Sequence, residues 1–172
     1  MTTTVYSNKH FSIEEKIFNG RNNKKLKYNY MKVSETVSIL PILNNKKIII
    51  EKQFRHVLGR YLYELPAGHM EKNETPKQAA GRELEEETGY KANRIRFMFK
   101  AFVSPGLSTE LLHYFIADKL KKTKTNFDEE EEIETIEVTF DEILEMIKNN
   151  EIKNNMTITS IFFYLQFFKN KI

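Results

Sequence analysis

The segment from residue 68 to residue 90 constrains the fold of this chain more than any other. Its sequence is GHMEKNETPKQAAGRELEEETGY. Thr75 is a preferred helix N-cap residue, Pro76 suits the first helical position, and Gln78 completes a capping box. Gly89 readily adopts the left-handed conformation that ends many helices. The segment therefore predicts a helix that begins after Thr75 and ends at Gly89.

Glutamates are concentrated on one face of that predicted helix. Glu83, Glu86 and Glu87 stand at i, i+3 and i+4, which brings their carboxylates together. Like charges in this arrangement repel one another, so either the face is simply solvated or a cation gathers the carboxylates. Hard oxygen ligands on a rigid element suit Mg²⁺ or Mn²⁺, and the spacing is compatible with such a site.

Composition narrows the class of protein. The chain of 172 residues is long enough for one domain with a substantial core, and its 40% apolar and 30% charged content is typical of globular proteins. A net charge of +3 gives no reason to expect nucleic acid as a partner. The absence of cysteine excludes disulfides, a zinc–thiolate site and a thiol nucleophile. No N-terminal run resembles a signal peptide and the apolar stretch 158–168 is too short to span a bilayer, so we expect a cytoplasmic protein without a membrane partner.

The N-terminal part of the chain reads as β-structure. Phe11–Asn19 and Lys24–Val33 are the predicted arms of an antiparallel hairpin, with turn residues between them. Residues 36–43 and 47–51 are predicted to form a second strand pair around an Asn-Asn turn. We interpret residues 1–33 as a β extension and residues 34–172 as the main domain of the same unit.

The rest of the chain alternates strands and helices, which predicts an α/β or α+β fold with a mixed sheet between helices. Strands are expected over 93–102, 111–118 and 133–138, and helices after Thr139 and over 157–170. On the last helix, one predicted face carries Ile158, Ile161, Phe162 and Leu165, and the other carries Phe163, Tyr164 and Phe167. A helix that is apolar on both sides is buried or shared with a partner subunit.

Segment 68–90 resembles the Nudix box, the signature G-x5-E-x7-R-E-U-x-E-E-x-G-U of Nudix hydrolases, in which U is an aliphatic residue. The matching positions are Gly68, Glu74, Arg82, Glu83, Leu84, Glu86, Glu87 and Gly89. Tyr90 departs from the signature because it is aromatic. The resemblance implies a Nudix fold and a divalent-metal-dependent hydrolase.

Further segments resemble the ADP-ribose pyrophosphatase branch of that family. They are Gln53-Phe54-Arg55, Glu64 to Gly68, and Ser104-Pro105-Gly106, with Pro105 about fifteen residues after the box. Residues 152–157 also resemble that branch, except that Asn154 and Asn155 stand where an aspartate and a threonine are usual. The resemblance implies Mg²⁺-dependent hydrolysis of ADP-ribose to AMP and ribose 5-phosphate. Hydrolysis of GDP-mannose or another nucleotide sugar, and a non-catalytic ligand-sensing module, remain alternatives.

The resemblance also implies roles for individual residues. Metal ligands would be the Ala67 carbonyl and the Glu83 and Glu87 carboxylates, with Glu86 assisting. Arg82 would belong to the catalytic machinery by orienting the glutamates instead of touching substrate, and Glu86 lies at i+4 from it.

The catalytic base in this branch comes from a later acidic segment, which in this chain would be residues 128–132. Alignment on the strand after it puts Glu129 at the base position and Glu131 at a metal-binding position. A solvated charge run is the competing interpretation of this segment.

The implied substrate-binding residues are Arg55, Glu64, Pro105 and Gly106. Arg55 is a candidate phosphate clamp because its guanidinium binds phosphate in a bidentate manner, although a surface arginine at a strand end explains it almost as well. The resemblance further implies a homodimer, in which the N-terminal strands reach the partner's substrate site.

Overall fold

The computed structural model describes residues 2–43, 47–126 and 132–169, in which strands and helices together form a mixed α+β fold. The strands are β1 (Thr2–Ser7), β2 (Phe11–Asn19), β3 (Lys25–Val33), β4 (Thr36–Pro41), β5 (Lys47–Arg55), β6 (Arg60–Glu64), β7 (Ala67–His69), β8 (Tyr90–Phe102), β9 (Leu111–Lys122) and β10 (Ile133–Thr139). The helices are α1 (Pro76–Thr88), α2 (Phe140–Lys148) and α3 (Asn155–Phe167).

The strands form three sheets, in the orders β1-β2-β3, β10-β5-β6 and β7-β4-β9-β8. The β4–β9 pair is parallel while β4 also pairs antiparallel with β7, so the last of these sheets is mixed, as predicted. Helix α1 covers one core, in which Leu84 and Ala80 lie with Ile39 of β4. Helices α2 and α3 cover the other, where Ile143 and Ile161 are fully buried. The predicted arrangement of a sheet between helices is confirmed.

The predicted N-terminal hairpin is present as β2 and β3, joined through a 3-10 turn at Arg21–Asn23. Strand β1, which was not predicted from the sequence, pairs with β2 and widens the hairpin to three strands. This sheet is attached to the rest of the chain by backbone hydrogen bonds. The Met31 N–H donates to the Leu107 carbonyl at 2.8 Å, and the Thr109 N–H donates to the Met31 carbonyl at 2.9 Å.

The predicted pairing of residues 36–43 with 47–51 is wrong. Strands β4 and β5 belong to different sheets, and between these segments the structure records an isolated bridge, Ile42 to Ile48. Every residue of β4 is buried, because β4 lies between β7 and β9 inside its own sheet. Strand β5 continues to Arg55 and pairs with β6 and β10. Residues 36–41 of β4 and 48–51 of β5 are buried on both faces, so each strand takes an interior position, and this outweighs their closeness in sequence.

The predicted faces of the last helix are also partly wrong. Tyr164 is 5% exposed and stacks on Phe140 with ring centroids 5.0 Å apart, whereas Phe162 is 51% exposed. The buried face of α3 instead follows Thr157, Ser160, Ile161 and Tyr164. A pattern that counts only large apolar residues overlooks small polar residues that allow a helix to approach the sheet closely. In the part of the chain that the structure describes, no helix is long and apolar enough to cross a membrane.

Candidate active site

Helix α1 has the ends that the sequence predicts. The Thr75 side chain accepts a hydrogen bond from the Gln78 N–H, the Gln78 side chain bonds back to the N-cap, and Pro76 occupies the first turn. Gly89 ends the helix with φ of 68° in the left-handed region. One side of α1 is buried through Ala79, Ala80 and Leu84, which directs the acidic face toward β7.

Gly68 in β7 allows the Glu83 carboxylate to lie directly against the backbone. A Cβ atom placed on Gly68 would collide with all three atoms of that carboxylate. The Glu83 side chain is only 12% exposed. Glycine is therefore required at the first position of the signature, because any larger residue would displace Glu83.

Glu87 is held beside the same strand by a hydrogen bond. It is 2% exposed, and its Oε2 accepts from the Ala67 N–H at 2.9 Å. Burying a carboxylate this deeply is costly unless charged or polar groups compensate for it. Glu87 and Glu83 thus meet β7 at the two adjacent residues Ala67 and Gly68.

Arg82 links the acidic residues of α1 to the loop that precedes it. Its Nη1 donates to Glu83 Oε1 at 2.8 Å and to Glu86 Oε2 at 3.0 Å. Its Nε and Nη2 donate to Glu74 at 3.0 and 2.9 Å, and Nη2 also donates to the His69 carbonyl at 3.0 Å. Hydrogen bonds to Glu74, then the charge of Glu83, raise the pKa of Arg82, so the guanidinium is permanently charged. The structure therefore brings Arg82 together with the glutamates that it is predicted to orient.

Glu74 closes the loop before α1. Besides pairing with Arg82, its Oε2 accepts from the Glu71 N–H at 3.0 Å. These hydrogen bonds, that from Arg82 above all, hold the pKa of Glu74 below its ordinary value. Glu74 is thus a structural partner of Arg82, as its position in the signature allows.

The donor set around Gly68 suits a hard divalent cation. It consists of the Glu83 and Glu87 carboxylates beside the Ala67–Gly68 backbone, with the Glu86 carboxylate linked to Glu83 through Arg82. Within residues 2–43, 47–126 and 132–169, no three Asp, Glu, His or Cys side chains already surround a common point. Arg82 takes oxygens of Glu83 and Glu86 in this structure, so a cation would compete with the guanidinium for them.

Arg55 and Glu64 form a bidentate ion pair next to this region. Arg55 Nε donates to Glu64 Oε1 at 3.0 Å, and Nη2 donates to Oε2 at 2.7 Å. Glu64 is 1% exposed, whereas the Arg55 side chain is 39% exposed. The hydrogen bonds with Glu64, together with the charges of Glu64, Glu87 and Glu51, raise the pKa of Arg55. Of these two predicted substrate-binding residues, Arg55 is accessible and Glu64 is buried behind it.

Sequence reasoning assigned no role to two residues around this pair. Glu51 is 1% exposed and is the cross-strand neighbour of Glu64. The available signal for Glu51 was its position directly after the apolar run 48–50, at the end of a strand that is predicted to be buried. Asn154 donates from Nδ2 to Glu64 Oε2 at 2.8 Å. Its signal was an N-cap residue type three positions before Thr157 in an apolar helix.

The loop with Pro105 and Gly106 lies beside the N-terminal sheet. It turns through hydrogen bonds from the Leu107 and Ser108 N–H groups to the Ser104 carbonyl, at 2.9 and 2.8 Å. The space around Gly106 is open, since no atom comes within 4 Å of the position that a Cβ would take. The loop is attached to β3 through the backbone of Met31.

Glu129 and Glu131 lie outside the described residues, but their described neighbours are placed. The Asn126 N–H donates to the Glu86 carbonyl at 2.9 Å, which puts the chain before the acidic segment at the C-terminal part of α1. At the last residue of the segment, the Phe54 N–H donates to the Glu132 carbonyl at 3.1 Å, and the Tyr61 hydroxyl donates to Glu132 Oε2 at 3.1 Å. A pocket of about 300 Å³ adjoins this point, lined by Lys52, Tyr61, Glu132, Ile133 and Glu134.

Comparison with known proteins identifies relatives of this chain. Residues 33–158 match the family model described as the NUDIX domain. A protein named ADP-ribose pyrophosphatase, from Bacillus subtilis (strain 168), is 36% identical over 162 residues, which cover 86% of this chain and 88% of that protein. The Methanol dehydrogenase activator of Bacillus methanolicus is 34% identical over 86% of this chain and 87% of its own length.

Two further matches complete the comparison. A GDP-mannose pyrophosphatase from Shigella flexneri is 37% identical over 122 residues, covering 66% of this chain and 63% of that protein. A solved structure described as an ADP compounds hydrolase superimposes with a TM-score of 0.88 at 21% identity and covers 99% of this chain and 92% of that one. At that identity, the likeness shows a shared fold.

Proposed function

The chain belongs to the Nudix family, and from that premise we propose that it hydrolyses the pyrophosphate bond of ADP-ribose, or of a related nucleoside-diphosphate sugar. With ADP-ribose, the products are AMP and ribose 5-phosphate. The observation that supports this most is that the Glu87 and Glu83 carboxylates lie against Ala67 and Gly68, while Arg82 bridges Glu83 and Glu86. The name of the Bacillus subtilis relative gives the substrate class.

The carboxylates and the Ala67 carbonyl are the groups that would hold Mg²⁺, or Mn²⁺ in its place. Glu83 and Glu87 would be the principal ligands, Glu86 would assist, and Glu131 would be a further ligand. A divalent cation bound there supplies charge neutralisation of the phosphate oxygens and a lower pKa for bound water. Glu87 is fixed for this role by the Ala67 N–H, and Arg82 limits the freedom of Glu83 and Glu86.

The remaining residues bind substrate and move a proton. Arg55 presents its half-exposed guanidinium to a phosphate group, while Glu64 holds that guanidinium from behind. Glu129 takes a proton from the water that adds to phosphorus as the bridging P–O bond breaks. Asn126 supports this role, because the hydrogen bond from its N–H to the Glu86 carbonyl places the chain beside α1 just before the acidic segment. Pro105 and Gly106 would contribute to substrate binding from the loop that is attached to β3.

We also propose an oligomeric state and a cellular location for the protein. Residues 1–33 form an extension of the Nudix domain that contributes to a homodimer and to the partner's substrate site. The reaction takes place in the cytoplasm, which fractionation of the cells that make the protein would test.

The experiment is a turnover assay with ADP-ribose, GDP-mannose and NADH, with and without Mg²⁺, that follows phosphate-containing products. We expect metal-dependent turnover that is fastest with ADP-ribose. Faster turnover of GDP-mannose would support the alternative function, hydrolysis of another nucleotide sugar. Binding of ADP-ribose without turnover of any substrate would support a ligand-sensing module and contradict an enzymatic role.

Glu87→Gln tests the site within the same assay. The amide keeps an oxygen that can accept from the Ala67 N–H but loses the charge of a metal ligand, so turnover should fall by about 100-fold or more while the fold persists. Glu85→Gln is the matched control, because Glu85 lies on the same helix and pairs with Lys91 at 3.5 Å. Equal activity in the two variants would show that Glu87 is not a metal ligand in this reaction.

A further inference from the structure

The N-terminus of α3 reaches the Arg55–Glu64 pair through one amide side chain. Asn154 precedes α3, and its Oδ1 accepts from the Thr157 N–H at 2.9 Å and from the Thr157 hydroxyl at 3.1 Å. On the other side, its Nδ2 donates to Glu64 Oε2 at 2.8 Å. The side chain is therefore both a helix cap and a link to a strand 90 positions earlier in the sequence.

Thr157 extends this link to the next residue of the same segment. It is fully buried, and its hydroxyl accepts from the Leu65 N–H at 2.9 Å. The start of α3 thus holds Glu64 through its side chain and Leu65 through its backbone. Three residues after Leu65 comes Gly68, on which the Glu83 carboxylate rests.

Glu64 has little freedom between these partners. Its Oε2 accepts from both Arg55 Nη2 and Asn154 Nδ2, at 2.7 and 2.8 Å, and its Oε1 accepts from Arg55 Nε. A planar guanidinium bound in this bidentate manner must lie close to the plane of the carboxylate. Whatever fixes the Glu64 carboxylate therefore also fixes the direction of the Arg55 guanidinium.

We propose that Asn154 is a positioning residue for substrate binding, which acts through Glu64 to aim the Arg55 guanidinium at the substrate phosphate. The inference rests on the role of Arg55 under the proposed function. An amide is the suitable group here, because it accepts from the helix N–H and donates to Glu64 at the same time. An ionised aspartate would cap the helix equally well but has no proton to donate.

Asn154→Ser separates the two roles of the side chain. Serine caps helices about as well as asparagine, but it has no second polar atom to reach Glu64. Thr139→Ala is the matched control, because Thr139 caps α2 in a capping box and its removal destabilises a helix elsewhere in the chain. We expect Asn154→Ser to raise the KM for ADP-ribose roughly tenfold, with kcat changed much less, since a hydrogen bond to a charged group is lost. Thr139→Ala should lower the melting temperature and leave KM unchanged.

A double-mutant cycle with Arg55→Lys tests whether Asn154 acts through Arg55. Lysine keeps the positive charge but loses the planar fork, so Arg55→Lys alone should raise KM. In that background, Asn154→Ser should raise KM little further, because the guanidinium that it aims is absent.

The outcomes separate this inference from the proposed function. If Arg55→Lys raises KM but Asn154→Ser does not, Arg55 keeps its role and the positioning role of Asn154 is wrong. If the effects of the two substitutions simply multiply, Asn154 acts elsewhere and the inference is again wrong. If Arg55→Lys leaves KM unchanged, the phosphate-clamp role of Arg55 fails, and the inference fails with it.

Discussion

Gly68 is the residue at which backbone geometry sets the position of a metal-binding carboxylate. Because a Cβ at this position would overlap the Glu83 carboxylate, Gly68→Ala should push that side chain away from β7. A displacement of about 1 Å at a reacting centre can cost about 100-fold in rate, and we expect a loss of turnover of that order. The measurement is kcat for ADP-ribose hydrolysis at saturating Mg²⁺.

Gly81→Ala is the control for that substitution. Gly81 lies in α1, and a Cβ there would meet only Ile95 Cδ1, at an ordinary 3.4 Å. Alanine in place of glycine inside a helix adds about 1 kcal/mol of helix propensity, so this variant should be stable and active. Comparable losses in both variants would show that the added methyl groups act through the helix and not through Glu83.

Residue types at fixed spacing predict contacts inside one element better than contacts between elements. The pairing of Arg82 with Glu86 follows from the i, i+4 geometry of a helix and is present at 3.0 Å. The bond from Arg82 to the His69 carbonyl depends on the path of the loop before α1, which spacing does not specify. In the same way, the sequence marks Glu64 as a functional position, but its burial behind Arg55 depends on the register of β5 with β6.

At the scale of elements, Glu74 ties the loop over residues 70–75 to α1. Arg82 holds the pKa of Glu74 below its ordinary value of 4.5 in the folded protein. A carboxyl group with a depressed pKa in the folded state stabilises the fold above its unfolded pKa, and this contribution is lost as pH falls through the folded pKa. Stability should therefore decrease below about pH 4.5, and Glu74→Gln should weaken that dependence.

Melting temperatures between pH 7 and pH 3 measure the contribution of Glu74. Glu145→Gln is the control, since Glu145 pairs with Lys148 on the surface of α2 at 61% exposure, where an ion pair contributes little. If wild type and Glu74→Gln lose stability in parallel on acidification, the Arg82–Glu74 pair makes no pH-dependent contribution.

The acidic segment between β9 and β10 provides the second prediction at this scale. Glu129→Gln should lower kcat by ~10²–10⁴-fold with little change in Mg²⁺ affinity, because a general base acts on the water. Glu132→Gln should be close to wild type, since the Glu132 side chain accepts from the Tyr61 hydroxyl. Steady-state kinetics and Mg²⁺ titrations of both variants test this. If Glu129→Gln keeps nearly normal turnover while Glu132→Gln or Glu130→Gln loses it, the catalytic base is that other glutamate and the alignment is wrong by that offset.

The elements themselves were easier to predict than their partners. Capping residues mark the ends of α1 and α2, and both capping boxes are present. Sheet membership was harder, because β4 and β5 both read as short apolar runs around a polar turn. Their separation into two sheets depends on the β5–β6 hairpin and on β9 and β10, which lie far from them in sequence. The local sequence pattern contains no information about those long-range pairings.

At the scale of the whole molecule, the N-terminal sheet exposes apolar side chains. Phe18 lies opposite Leu26 on the next strand, and the Phe18 and Tyr28 ring centroids are 5.9 Å apart. The exposures are 40% for Phe18, 40% for Leu26 and 52% for Tyr28. Contiguous apolar surface of this kind often marks an interface. Because Tyr164 of α3 is buried in the core, the expectation of a dimer now depends on this sheet more than on the last helix.

We therefore expect a two-fold homodimer whose N-terminal sheets contribute to the partner's substrate site. Deleting residues 1–33 should weaken dimerisation and raise KM together, but it also removes the hydrogen bonds of Met31 to the Pro105 loop. Phe18→Lys avoids that complication, since it places a charge on the exposed sheet without shortening the chain. Val57→Lys is its control, because Val57 is 99% exposed and lies on a different sheet's hairpin. Light scattering with kinetics at matched concentrations should show that Phe18→Lys dissociates the dimer and raises KM, while Val57→Lys does neither. Efficient hydrolysis of ADP-ribose by a wild-type monomer at micromolar concentration would contradict the dimer.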